Sequence, residues 1–247
     1  MISLGRLFLP TRWHERLQVD RYPILQFVRS EALPLMRAGV KVLDAGSGRL
    51  PEQTLRGEIL ATGAELHTLD FCAGEGVDFV GDVSALPFEA GSYDIVLSTQ
   101  VLEHVQDPEK VCAEMARVLK PGGHLFLTTP QSSPIHNEPW NYFNFTHYGL
   151  ALLFEKAGLQ VVKKEAQGGH FVMLAFQLHW TVRYLQRCNA SAILKTPLLL
   201  LAKVVFGFFT KVPLLWLDQF DTVRLNTQGW NFHGSKPTGG ATATAAA

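Results

Sequence analysis

The stretch Val40-Lys41-Val42-Leu43-Asp44-Ala45-Gly46-Ser47-Gly48 constrains the fold of this chain more than any other. A short apolar run that ends in a carboxylate and two glycines reads as a buried strand breaking into a tight turn. The glycines let a ligand come close to bare backbone. In an open parallel sheet, ligands sit beyond the carboxyl ends of the strands, where the first loop leads into a helix and presents unpaired N–H groups. A Gly-x-Gly turn by itself is weak evidence, because turns use glycine for purely steric reasons. The downstream spacing decides the matter. A second short strand, residues 64–69, ends in Asp70 about twenty residues on, where a doubly wound fold places an acid facing ribose hydroxyls. A third segment ends in Gly81-Asp82, and a fourth, residues 93–98, leads into Thr99-Gln100-Val101-Leu102-Glu103-His104-Val105. A fifth, residues 124–129, follows the helix stop Leu119-Lys120-Pro121-Gly122-Gly123.

Three of these stretches carry a resemblance: LDAGSG, GDVSALPFEAGSYDIVLSTQVLEHV and RVLKPGGHLFLTTP. In them the chain resembles class I S-adenosylmethionine-dependent methyltransferases of the type 11 group, over residues 40–169. The resemblance implies an α/β fold: a doubly wound, Rossmann-like, mostly parallel seven-stranded sheet with helices on both faces. It implies S-adenosyl-L-methionine as cofactor. Carried over residue by residue, Asp44, Ala45, Gly46, Ser47 and Gly48 would surround the methionine half. Asp70 would bind the ribose hydroxyls, with Phe71 beside the adenine. Asp82 would accept from the adenine amine, with Val83 adjacent, and Thr99 and Gln100 would line the methionine end. Plainer readings stay open for two of these: Asp70 as a strand-end turn residue and Asp82 as a helix cap. The glycine loop departs from the longer pattern, with Arg49 and Leu50 where a third glycine would stand, which argues against a dinucleotide pyrophosphate.

Methyl transfer from a sulfonium is an in-line displacement, served largely by holding donor and acceptor at reacting distance. A base is needed only when the acceptor is not already nucleophilic. His104 is the candidate catalytic residue, because the loop after the fourth strand faces the reactive end and an imidazole titrates near pH ~6.5. The other reading is that it holds the loop by hydrogen bonding. His136 and His147 are weaker candidates on the segment expected to cover the acceptor. There, residues 137–146 resemble an acceptor-side stretch with an Asp-Tyr-Tyr-Arg-Phe-Thr core. Asn141 stands for the aspartate, Phe143 for the second tyrosine and Asn144 for the arginine. An amide at 141 cannot exchange a proton.

At 247 residues the chain is long enough for one large α/β domain with an insertion. The expected layout is a single domain over 1–236, with a helical cover at 1–39, a hydrophobic helical insertion at 170–226 before the last strand, and an unstructured tail at 237–247. Pro51 suits the first turn of the helix after the glycine loop. Net charge is zero, so nothing global points to nucleic acid as a partner. Residues 183–236 nevertheless hold seven basic residues against two acidic ones, which favours an anionic partner or a solvated rim. Cys72, Cys112 and Cys188 are widely spaced, suiting neither a disulfide framework nor a zinc site, so a reducing, cytoplasmic setting and no metal are expected. The first residues lack the apolar core of a secretory signal.

In the insertion, Thr196-Pro197 is a good helix start and Pro213 a stop or kink. About fifteen residues at ~1.5 Å rise fall short of the ~30 Å hydrocarbon thickness, so a span is disfavoured. Two readings remain: a helix buried against the sheet, or one over 196–217 lying in a membrane surface at the inner face of the cytoplasmic membrane. The acceptor is accordingly a small molecule, a glycan or a lipid-linked molecule. A non-catalytic cofactor-binding or scaffold protein of the same fold is the alternative function.

Overall fold

The computed structural model describes residues 18, 20–48, 55–189 and 191–239. Strand β1 (Lys41–Ala45) forms as expected, with every residue after Lys41 buried. It pairs in parallel with β2 (Glu65–Asp70) on one side and with β4 (Tyr93–Thr99) on the other. Beyond β2 lies the two-residue edge strand β3 (Phe79–Val80), and beyond β4 lies β5 (Leu119–Pro130). The last strand, β7 (Gly229–Ser235), runs antiparallel to β5, and β6 (Gln160–Ala166) follows it. The sheet order is β3-β2-β1-β4-β5-β7-β6. The order steps away from β1 in both directions, so the loops after β1 and β4 diverge and leave a crevice at the carboxyl ends of the strands.

By contacts within the chain the molecule divides into two units, Ile24–Glu165 with Gly229–Ala247, and Met1–Pro23 with Ala166–Gln228. In the first, helix α1 (Tyr22–Phe27) continues into a π turn at Val28–Ala32. Phe27, Val28, Ala32 and Met36 close an apolar face made by Val42, Ile95, Leu97 and Phe126. The Phe27 and Phe126 rings meet edge-on at 6.0 Å. Helix α2 (Arg56–Ala61) follows the glycine loop, and the expected helix start at Pro51 falls outside the described residues. Helix α3 (Pro108–Val118) begins where Asp107 and Pro108 predict it, with the Asp107 carboxylate accepting from the Lys110 N–H at 3.0 Å. Helix α4 (His147–Lys156) is capped by Thr146, which accepts from the Gly149 N–H.

One boundary differs from expectation. Residues 119–123 do not form a separate stop between helix and strand, because β5 starts at Leu119, directly after α3. Leu119 pairs with Tyr93, the register then slips, and Lys120 Nζ anchors the bend on Asp94 at 2.7 Å. Gly123 has no room for a Cβ, which would lie 2.9 Å from the carbonyl oxygens of Asp94 and Lys120. The end of α3 is satisfied from far away in sequence: Lys236 Nζ donates to the carbonyls of Ala116 and Leu119, each at 2.7 Å. A cation there also complements the negative end of the helix dipole.

The second unit is helical. Helix α5 (His170–Arg187) starts on two acids, since Asp218 accepts from the Gly169 and Val172 N–H groups and Asp221 from the His170 N–H at 2.7 Å. Val172, Met173 and Phe176 of α5 pack with Leu214 and Leu215. Helix α6 (Ala192–Val204) begins four residues before the expected start at Thr196, with Pro197 inside it. A proline this close to the helix start costs one hydrogen bond and a slight bend. The expected stop at Pro213 is also displaced. A π turn at Val205–Phe209 comes first, and Pro213 then sits in the first turn of helix α7 (Lys211–Leu217), where its missing N–H is not needed. Among the described residues no helix is long and apolar enough to cross a membrane. Of the expected tail, residues 240–247 lie outside the described residues.

Candidate cofactor and acceptor site

The site is built where β1, β2 and β4 end. The turn after β1 is fastened to β2: the Gly46 and Ser47 N–H groups donate to the Leu69 carbonyl, and the Gly48 N–H donates to Asp70 Oδ2 at 3.0 Å. Asp70 Oδ1 accepts a second N–H, from Cys72, so the acid is aimed by backbone on both sides. Gly46 and Gly48 both have positive φ, but only Gly46 is crowded. A Cβ there would run into Val101 in the loop after β4, whereas among the described residues nothing lies within 4 Å of one at Gly48. Gly46 thus lets two loops touch, and Gly48 faces open space of the kind a ligand would fill.

Asp44 lies under this turn, buried, with no hydrogen-bond partner among the described residues. Burial, with the Asp70 carboxylate nearby, pushes its carboxyl up to about 7. A buried acid within electrostatic reach of a second acid, and only partly offset by Arg56, is suited to a cationic ligand group. Arg56 supports the floor by donating to Thr68 Oγ1 and pairing with Asp78, both at 3.2 Å. On the adenine side, Phe71 is 76% exposed and so free to cover a ring. Asp82 uses one carboxylate oxygen on the Ser84 N–H at 2.8 Å, as a turn residue does, and Val83 is buried beside it. The Gly81 N–H donates to the Asp70 carbonyl, which holds the two acidic strand ends together. Ala45 is buried and Ser47 nearly so. Thr99 ends β4 opposite Thr128, and Gln100, at φ 57°, bonds Thr128 through both its N–H and its side chain.

The loop after β4 carries His104 on a 3-10 turn. Its Nδ1 is 2.5 Å from the Trp140 carbonyl, which can only accept, so Nδ1 bears the hydrogen and Nε2 the lone pair. Nε2 faces Asn137 Nδ2 at 3.4 Å and Glu103 Oε1 at 3.8 Å. Burial keeps the His104 imidazole below its ordinary value, in the neutral form a base requires. The hydrogen-bonding role expected of His104 is therefore present on Nδ1, while Nε2 accepts only a long hydrogen bond from Asn137.

Glu103 is the residue that sequence reasoning passed over. It is fully buried, and among the described residues neither carboxylate oxygen makes a well-formed hydrogen bond, Thr129 being the nearby hydroxyl. Burial pushes it up to about 8. Its backbone carbonyl accepts from the Tyr142 N–H at 2.8 Å, which ties the loop to the acceptor-side segment. His136 stands edge-on to His104 at 4.9 Å, and donor atoms of Glu103, His104 and His136 all lie within 4.8 Å of one another. A carboxyl and two imidazoles at this spacing can pass a proton, and the same donor types can hold a divalent cation. The two asparagines that replace charges are structural: Asn141 accepts from the His136 N–H and Asn144 donates to the Ser133 carbonyl. His147 does not join this group by any hydrogen bond or ring contact, and packs instead on Trp230 at 4.6 Å.

A family model described as a methyltransferase domain matches residues 44–127, from the acid under the glycine turn to the middle of β5. The match is in keeping with class I S-adenosylmethionine-dependent methyltransferases. Over 113 residues this chain is 37% identical to a ubiquinone biosynthesis O-methyltransferase of Marinobacter nauticus, covering 39% of this chain and 47% of that one. Over 124 residues it is 38% identical to the protein of that name from Xanthomonas axonopodis pv. citri, covering 44% and 50%. The chain thus spans about half the length of the curated relatives it matches. Among solved structures, the [4+2]-cyclase SpnF aligns with TM-score 0.55 and 18% identity over 89% of this chain and 81% of the cyclase. Phosphoethanolamine N-methyltransferase 2 of Haemonchus contortus, solved with S-adenosyl-L-methionine, aligns with TM-score 0.53 and 17% identity over 96% and 60%. These likenesses establish the fold, and the presence of a cyclase among them shows that the fold does not dictate the reaction.

Proposed function

We propose that this protein moves a methyl group from S-adenosyl-L-methionine to an oxygen of a small-molecule acceptor. The observation that carries the reading is the Asp44 carboxyl, buried within electrostatic reach of Asp70 beneath the glycine turn. Such an acidic cradle suits a ligand with a sulfonium and an ammonium at one end and ribose hydroxyls further along. When bound, the cofactor supplies the methyl as an electrophile. Asp44 would balance its positive charge, Asp70 would accept from the ribose, and Ala45, Gly46, Ser47 and Gly48 would line its path with backbone. Phe71, Asp82 and Val83 would hold the adenine, and Thr99 and Gln100 the methionine end. His104 Nε2 would take the proton from an acceptor hydroxyl, with the Glu103 carboxyl 3.8 Å away.

An oxygen acceptor is supported by the likeness to ubiquinone biosynthesis O-methyltransferases, and the exposed Trp140, Tyr142 and Phe143 offer an apolar wall for a ring. A lipid-linked acceptor, or a glycan carried on a lipid, would bring the reaction to a membrane surface. Calorimetric titration with S-adenosylmethionine, followed by turnover against ring hydroxyl acceptors, tests the reading. Asp70→Ala should weaken cofactor binding by about 1.5 to 3 kcal/mol, roughly tenfold to a hundredfold. Unchanged affinity would remove Asp70 from the site. Cofactor binding without turnover on any acceptor would favour the non-catalytic alternative.

A further inference from the structure

The helical unit has a surface that neither its own core nor the methyl chemistry uses. Along the chain from α6 through α7 to the 3-10 turn at Asp218–Phe220, Leu201, Val204, Phe209, Val212, Trp216 and Phe220 are each between 44% and 66% exposed. Their spacing is three, five, three, four and four. Steps of three and four stay on one helix face, but a step of five in an α-helix would swing Phe209 away. That step falls on the π turn, where the Thr210 N–H reaches back five residues to the Val205 carbonyl at 2.9 Å. The wider turn brings Phe209 back into line, so one apolar stripe runs across these segments. Leu214 and Leu215 meanwhile pack inward on α5, leaving α7 apolar on both sides.

Charge says what this face meets. Residues 166–228 hold Arg183, Arg187, Lys195, Lys203, Lys211 and Arg224 against only Asp218 and Asp221. Both acids are occupied by the N–H groups at the start of α5. Lys195 donates to the Gln186 and Cys188 carbonyls at the end of α5, and Lys211 is buried. The exposed cations are Arg183, Arg187 and Lys203. Two of them share a face of α5 with aromatics: Arg183 sits 4.9 Å over the Trp180 ring, Trp180 and Tyr184 are 6.2 Å apart, and Arg187 follows one turn on. Among the described residues of this unit the one exposed acid is Asp20, which faces Lys211 and His179. Exposed Leu and Phe with Trp, Tyr and Arg along 180–220 form the composition of a helix that lies at a lipid interface.

We propose that this face rests on an anionic phospholipid bilayer, with the stripe from Leu201 to Phe220 among the upper acyl carbons and Arg183, Arg187 and Lys203 at the phosphates. The inference gives a location to the membrane-surface part of the function proposed above and rests on that reading only for its use. The full chain should sediment with vesicles of phosphatidylcholine mixed with phosphatidylglycerol about tenfold more strongly than with phosphatidylcholine alone, and salt should reduce the difference. Lipids brominated on the acyl chain should quench the fluorescence contributed by Trp216, and Trp216→Phe should remove that quenching. Replacing Leu201 and Phe209 with serine together should release the protein at least ~tenfold with its melting temperature unchanged. Absence of vesicle binding by the wild type, or of quenching at Trp216, overturns the proposal. So does a double variant that binds as well as wild type, or one that unfolds early while wild-type Trp216 stays unquenched, which would assign the stripe to a core or a protein interface. Titration with S-adenosylmethionine on the same samples separates the two readings: loss of cofactor binding with vesicle binding intact refutes only the methyltransferase assignment.

Discussion

Asp44→Asn removes one negative charge from beneath the glycine turn and keeps the shape of the side chain. In the wild type the folded-state carboxyl titrates at about 7 against an ordinary value of 3.8. The sign follows from the raised value. Above pH 3.8 the unfolded chain gives up this proton while the folded one keeps it, so stability falls as pH rises, and the loss is complete once the pH passes about 7. A shift of about three units at ~1.4 kcal/mol each puts the full loss near ~4 kcal/mol, an upper bound because water entering the crevice would reduce it. Asparagine has no such loss. The variant should therefore match the wild type near pH ~4 and exceed it by up to ~4 kcal/mol at pH ~8, read from urea unfolding at both pH values. Binding of a cationic cofactor should do the reverse. It favours the ionised acid, so below about pH 7 wild-type binding should release a proton, visible as a buffer-dependent calorimetric enthalpy, and the variant should bind weakly with no such dependence. An advantage of the variant that is the same at both pH values would refute the claim that Asp44 is the group that titrates.

His104→Ala should leave cofactor affinity within about threefold of wild type and lower turnover by ~10² or more, and wild-type turnover would leave His104 as a loop anchor. Asp218→Ala strips the start of α5 of its buried acceptor and should destabilise the helical unit by about 1 to 2 kcal/mol in a thermal melt followed by Trp180 fluorescence. His233, stacked on Phe126 at 4.3 Å and 3.0 Å from His124, is held by burial down to about 4. The unfolded chain takes up that proton first, so the wild type should lose on the order of 3 kcal/mol as pH falls from about 6.5 to 4. His233→Gln should flatten that decline in circular-dichroism melts, and an unchanged slope would place the acid sensitivity elsewhere.

The strands and the cofactor half of the site could be read from sequence because one local rule governs both: an apolar run that stops at Asp or Gly. Asp44, Asp70 and Asp82 all mark strand ends, and Asp107-Pro108 and Thr146 are start signals whose hydrogen bonds need nothing distant. Where long-range contacts decide, the reading slipped. Residues 119–123 look like a stop by their proline and glycines, yet pairing of Leu119 with Tyr93 and the Lys236 cap draw them into β5. Thr196-Pro197 looks like a start because nothing local shows that α6 is already helical at Ala192. Glu103 could not have been singled out, since a Glu beside a His is ordinary on a surface loop and only the folded chain buries it without a well-formed hydrogen bond.

The placement of β7 bears on how the chain comes to be folded during synthesis. Its partners on β5 are remote in sequence, His124 and His233 being 109 positions apart, and the whole helical segment is made between them. Until that segment has left the ribosome, β5 has a long bare edge, with Leu125 and Leu127 in a strand flanked by β4 on one side alone. Non-local pairing of this kind is slow, and an open strand edge invites pairing with another chain. The helical segment therefore acts as a timer on sheet closure. Stalling within it would strand a half-built sheet, and the speed at which those helices collapse on one another should limit how much protein reaches the native state.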